Sequence, residues 1–63
     1  MNVGENIRGL RERRRMKQED LANEVGITQA MLSQIERGTK NPSLQVSKLI
    51  ADVLGCNIEE FFE

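Results

Sequence analysis

Two glutamines, Gln29 and Gln34, stand in the run Gln18–Arg37, QEDLANEVGITQAMLSQIER. Each carries an amide that donates and accepts together, the pair of functions that matches an adenine edge. Ala30 and Ser33 lie between them. A methyl at Ala30 suits contact with a thymine methyl, and Ser33 adds a hydroxyl beside it. For these side chains to act together, the segment must coil with Leu32 and Ile35 hidden and Gln29, Ala30, Ser33 and Gln34 turned outward. The preceding residues supply a partner helix that buries Leu21, Ala22 and Val25, joined to it by a tight turn at Gly26. Two short helices in that relation form a shape suited to reading base edges in a DNA major groove.

The rest of the chain must position this pair. Val3, Ile7 and Leu10 recur at spacings of four and three and share one face of a first helix over about Gly4–Arg14. Lys17 starts the second helix, which ends near Val25, and Gly26 supplies the left-handed backbone that other residues resist. Thr28 N-caps the third helix, which runs to about Arg37 and stops at Gly38. Asn41-Pro42-Ser43 turns the chain into a fourth helix, with Ser43 as N-cap and Gly55 as its end after Leu54. Asn57 caps a last short helix that finishes at Phe61 and Phe62. Lys17 cannot accept a capping hydrogen bond, a loss of ~1 kcal/mol that Glu19 and Asp20 partly offset through the helix dipole.

Composition narrows the function. Sixty-three residues make one domain, 1–63, with two Phe and no Trp or Tyr, so the core is mostly aliphatic. A single Cys56 excludes an intramolecular disulfide and a multi-cysteine metal site. With no His, the usual general base and the commonest metal ligand are both missing. The expectation is a non-enzyme with no metal and no cofactor. No apolar run approaches the ~20 residues of a membrane span. That and the lone thiol fit a reducing, cytoplasmic setting. The net charge of -1 hides an asymmetry: residues 1–40 sum to +2 and residues 41–63 to -3. Arg8–Lys17 holds six basic residues against Glu12 alone. This stretch is either a solvated face or the flank of a polyanion site.

The chain resembles the phage repressor/Cro-like helix-turn-helix family, also called the XRE family. The segments that carry the likeness are IRGLRERR, MKQEDLANEVGITQAMLSQIERG and NPSLQVSKLIADVLGCNIEEFF. Gln18, Ala22, Gly26, Ile35-Glu36-Arg37-Gly38 and Asn41-Pro42-Ser43 stand in register. The resemblance covers about residues 5–62. It implies an all-α, compact five-helix bundle of lambda-repressor-like form with the helix-turn-helix at about 18–37. It also implies binding of double-stranded DNA at a palindromic operator, as a homodimer acting as a repressor. The third helix would then read bases through Gln29, Ala30, Ser33 and Gln34. Lys17, Gln18, Thr28, Arg37, Lys40 and Asn41 would meet phosphates, with Gln18 also bracing the first residue of the recognition helix. The position of Lys17 usually holds Ser, Thr or Asn in the family, so here a cap is exchanged for a cationic contact. Arg11 and Glu36 match a pair that forms an ion pair inside the domain. DNA contact by Arg11 is the alternative.

Two features leave alternatives open. In the fourth helix Leu44, Val46, Leu49, Ile50, Ala51, Val53 and Leu54 span an arc of about 220°, where a core-facing stripe needs little over ~100°. Ile50, Ala51 and Leu54 should face the first three helices. Val46, Leu49 and Val53 are then either covered by Ile58, Phe61 and Phe62 or form a dimer or partner surface. The same fold also serves as an antitoxin or adaptor that binds a protein partner such as a toxin, and as the DNA-binding half of a longer regulator. Cys56, after Gly55, is expected to be buried as a small hydrophobe.

Overall fold

A computed structural model describes residues 2–63 of the chain. It contains four α-helices, α1 Val3–Arg13, α2 Gln18–Val25, α3 Gln29–Arg37 and α4 Leu44–Leu54, and a closing 3₁₀ helix Ile58–Phe62. The described residues include no strand. Three α-helices begin with a side-chain cap. Asn2 Oδ1 accepts from the Glu5 N–H at 3.0 Å, Thr28 Oγ1 from Met31 at 3.0 Å and Ser43 Oγ from Val46 at 3.1 Å. Each satisfies a backbone donor that has no partner inside its helix.

The boundaries differ from the sequence expectation in three places. Asn2 is the first cap, so α1 begins one residue early and ends at Arg13. Lys17 stands outside α2 as its extended N-cap residue, because Gln18 is the first residue with helical backbone. The last segment is a 3₁₀ helix rather than a fifth α-helix. It holds five residues, and so short a piece has little to gain from the wider α geometry. Asn57 makes no side-chain cap bond there; the Glu60 carboxylate instead accepts from the Asn57 N–H at 3.2 Å.

The core gathers Ile7, Leu21, Ala22, Val25, Leu32, Ile35, Ile50, Ala51, Leu54 and Phe61, all buried. It draws on every element, which is how so short a chain encloses a core. α1 packs on α3 and on the 3₁₀ helix, and α2 packs on α3 and α4. The approach of α1 to α3 depends on Gly4. A Cβ there would strike the Ile35 carbonyl oxygen and stand 2.7 Å from that of Glu36. At the other end of α1, Asn6 Nδ2 donates to the carbonyls of Phe61 at 2.8 Å and Glu63 at 3.1 Å. This clamp seats the 3₁₀ helix and drives Phe61 into the core.

Candidate nucleic-acid interface

α2 and α3 meet at Gly26, whose φ of 88° is left-handed and costs a glycine little. The Gly26 and Ile27 N–H groups both return to the Ala22 carbonyl, at 2.8 and 3.0 Å, and close the turn. The chain then re-enters a helix at Thr28. Along α3, Leu32, Ile35 and Glu36 are buried, while Gln29, Ala30 and Gln34 are exposed and Ser33 is half-buried. The amides at Gln29 and Gln34 therefore face solvent on the side opposite the core stripe. Thr39 Oγ1 donates to the Gln34 carbonyl at 3.2 Å, folding the chain over the end of α3. Lys40 and Asn41 follow, both exposed. They line a shallow cleft with Asn2, Gly38 and Pro42.

The start of α2 is built differently from those of the other α-helices. Lys17 provides no side-chain cap; only the reverse bond exists, from its own N–H to Asp20 Oδ2 at 3.2 Å. Unclaimed N–H groups and the positive end of the helix dipole remain at this edge, the electrostatics that favour an anion. Lys17 is exposed beside it and Gln18 is half-buried.

Behind this edge lies a buried polar knot. Arg11 Nε donates to Glu36 Oε2 at 2.7 Å and Arg11 Nη2 to Glu36 Oε1 at 3.1 Å. The pair is 8% and 5% exposed, so Arg11 is turned into the domain. The hydrogen bond to Glu36 is the largest influence holding the Arg11 guanidinium above its ordinary pKa; burial opposes it, and the Glu36 and Glu12 charges add to it. Arg11 Nη1 also donates to the Met16 carbonyl at 2.7 Å, which fixes the loop between α1 and α2. In that loop Arg15 takes a left-handed φ of 56°, unusual for a side chain of its size. Gln18 completes the knot: its Nε2 donates to Glu36 Oε1 at 2.9 Å. The family resemblance implies that Gln18 braces Gln29; the side-chain bond it makes here runs to Glu36. No local sequence pattern signals that contact, because the partners lie on different helices. An open cleft above the knot is lined by Asn2, Glu5, Arg8, Arg11, Gln18, Glu36 and Arg37.

On α4, Ile50, Ala51 and Leu54 are buried. Val46 and Val53 are half-buried against the core, whereas Leu49 is 40% and Leu44 67% exposed. Phe61 and Ile58 turn inward, but Phe62 stays 49% exposed. The 3₁₀ helix thus supplies less cover than a full turn of α-helix with both rings inward would. Cys56 is half-buried rather than fully buried. Burial is the largest influence pushing its thiol pKa up, the Glu60 charge adds to it, and Arg14 opposes both. Among the described residues no cluster of His, Cys, Asp and Glu is arranged to hold a metal, and no helix is long and apolar enough to cross a membrane.

A short helix pinned by a tight glycine turn, with an apolar stripe inward and amides outward, defines a helix-turn-helix domain of the XRE type. The helix-turn-helix family profile matches residues 7–61, and the chain belongs to that family. Its members are DNA-binding regulators rather than enzymes. The immunity repressor of Bacillus phage phi105 is 34% identical over 58 residues, which cover 92% of this chain and 40% of that protein. The chain therefore spans well under two thirds of that repressor's length. The restriction-modification controller C.AhdI from Aeromonas hydrophila superposes with a TM-score of 0.92 and 31% identity, over 97% of this chain and 92% of that one. SinR of Bacillus subtilis, a master regulator for biofilm formation, is solved in complex with DNA. It superposes with a TM-score of 0.90 and 27% identity, over 97% and 98% of the two chains.

Proposed function

We propose that this chain is a transcriptional repressor that binds a palindromic DNA operator as a homodimer in the cytoplasm. The observation that carries the reading is the outward row Gln29, Ala30, Ser33 and Gln34 on a helix whose other face is locked into the core. Gln29 and Gln34 read adenine edges, Ala30 meets a thymine methyl and Ser33 lies beside them. Lys17, Gln18, Thr28, Arg37, Lys40 and Asn41 hold phosphates on either side, setting position and affinity rather than sequence. Thr28 contributes from the N-terminal end of α3, where its hydroxyl already serves as the cap. The likeness to a phage immunity repressor and to a regulator solved with DNA supports the same reading. No chemistry and no cofactor are needed: binding and release are the function.

Selection of bound duplexes from random DNA, with complex mass measured by light scattering, tests it. The expected result is a two-fold symmetric site with half-sites about one helical turn apart, ~34 Å, and two chains per duplex. Affinity falls steeply with added salt as counterions are released. A selection that yields no site competing with bulk DNA at moderate salt defeats the reading.

The exposed Leu44, Leu49 and Phe62 favour a second reading, in which the domain binds a protein partner as an antitoxin or adaptor does. A third, the DNA-binding half of a longer regulator, is favoured by the 40% of the phage repressor that the chain spans. Co-purification of a second protein from the native source separates the partner reading from DNA binding alone.

A further inference from the structure

We propose that Glu36 is a positioning residue for DNA binding: from inside the domain it sets the Gln18 amide at the leading edge of α2. The proposal rests on the reading of Gln18 as a DNA-backbone contact. Glu36 is 5% exposed, and three donors converge on its carboxylate: Arg11 Nε, Arg11 Nη2 and Gln18 Nε2. An ionised carboxylate only accepts hydrogen bonds. The Gln18 amide must therefore spend one Nε2–H on this carboxylate, since turning it over would set two acceptor oxygens against each other, and its second Nε2–H is the donor left for a phosphate.

Arg11 fixes the same place from a second side. One guanidinium holds both the carboxylate that Gln18 binds and, through Met16, the loop that delivers Gln18. The amide of an unconstrained surface glutamine samples several rotamers and must surrender them on binding. Here that choice is made before DNA arrives, which lowers the cost of the contact. The knot thus joins the core to the N–H groups of the uncapped first turn of α2.

The test replaces the pair by apolar side chains of similar length, Arg11→Met with Glu36→Met, because such exchanges of a buried pair commonly preserve or raise stability. The first readout needs no DNA. In the ¹⁵N spectrum of the wild-type protein, the Gln18 side-chain amide protons should be displaced from free-glutamine positions and exchange slowly, and in the double variant they should return to them. The second readout is the Kd for a mixed-sequence duplex of about two helical turns. Gln18→Ala and the double variant should each weaken binding by about fivefold to tenfold, the net worth of one ordinary hydrogen bond. Combining all three substitutions should add little, because they act through one contact.

A double variant that folds and binds like the wild type overturns the proposal while leaving DNA binding intact. So does a combined loss equal to the product of the separate ones, or a Gln18 amide that is free in the wild type. A wild-type protein that binds no duplex overturns the DNA reading itself. If the double variant does not fold, Glu36→Gln replaces it. That variant keeps length and one acceptor but no charge, and it should weaken the duplex and free the amide part way; wild-type values for both overturn the proposal.

Discussion

Arg11 and Arg14 sit three residues apart in the same basic run, yet their surroundings give them opposite roles. Arg11 is enclosed and bonded to Glu36 and Met16, while Arg14 is exposed with its guanidinium against Gly55. Removing one member of a buried pair strands the other charge at a cost of ~3–5 kcal/mol. Arg11→Ala should therefore lower the melting temperature by more than 10 °C, given ~4–8 °C per kcal/mol in a domain this small. Arg14→Ala should move it by only a few degrees. Thermal melts of both variants check this, and equal shifts would remove the structural role from Arg11. Cys56 yields a pH prediction. Its folded pKa is raised, so the folded state holds the thiol proton more tightly than the unfolded chain does. The contribution of this group to stability is complete below the ordinary thiol pKa and is lost as pH rises through the folded value. Denaturant melts from neutral to alkaline pH should show this decline in the wild type and less of it in Cys56→Ala. The same thiol should react with a disulfide reagent more slowly than a free thiol does, since the thiolate is the nucleophile.

Among the helices, α2 breaks the rule that α1, α3 and α4 keep. Those three have Asn, Thr or Ser at the N-cap, each accepting a backbone hydrogen bond. α2 has Lys17, which cannot. Lys17→Ser should raise stability by ~1 kcal/mol through the restored cap. If Lys17 holds a phosphate, the same change should weaken DNA binding and reduce the slope of log K against log salt by about 1. Denaturant melts and a salt titration on one variant measure both. A gain in stability with an unchanged salt slope would reduce Lys17 to an unfavourable cap. α4 carries a conflict of another kind. Its inner stripe, Ile50, Ala51 and Leu54, satisfies the core, and its flanks Val46 and Val53 are half-covered. Leu49 has no such cover.

For the molecule as a whole, the question is what meets the remaining apolar surface. The described residues leave Leu44, Leu49 and Phe62 exposed, the kind of apolar surface that marks an interface when it is contiguous. If α4 forms the dimer contact, Leu49→Glu should raise the dimer dissociation constant at least tenfold in analytical ultracentrifugation, since a buried carboxylate without a partner is costly. Melting of the monomer should change little, because Leu49 is outside the core. An unaltered association constant would end the reading of α4 as an interface. Charge is also divided across the molecule. The basic excess lies in the part of the chain that holds α1 to α3, and the acidic excess in the part that holds α4 and the 3₁₀ helix. Within the first part the positive charge is concentrated in residues 1–17, which sum to +4, while residues 18–37 sum to -3, so attraction for a polyanion falls to α1 and the loop that ends at Lys17.

The sequence by itself determined what depends on near neighbours. Helical period placed Leu21, Leu32, Ile35, Ile50 and Leu54 inside, and short-range chemistry placed the caps at Thr28 and Ser43, the left-handed turn at Gly26 and the helix ends at Gly38 and Gly55. These are interactions between residues at most a few positions apart, so local order displays them. The Arg11–Glu36 pair was legible through family likeness rather than spacing. Tertiary structure alone decided the contacts between distant segments. It turned Gln18 to Glu36, clamped Asn6 to the carbonyls of Phe61 and Glu63, and brought α1 against α3 where Gly4 leaves room. It also wound the last segment as a 3₁₀ helix that buries Phe61 and leaves Phe62 outside. A side chain's hydrogen-bonding capacity is written in its type, but its partner is set by which surfaces the packed helices bring within 3 Å of each other.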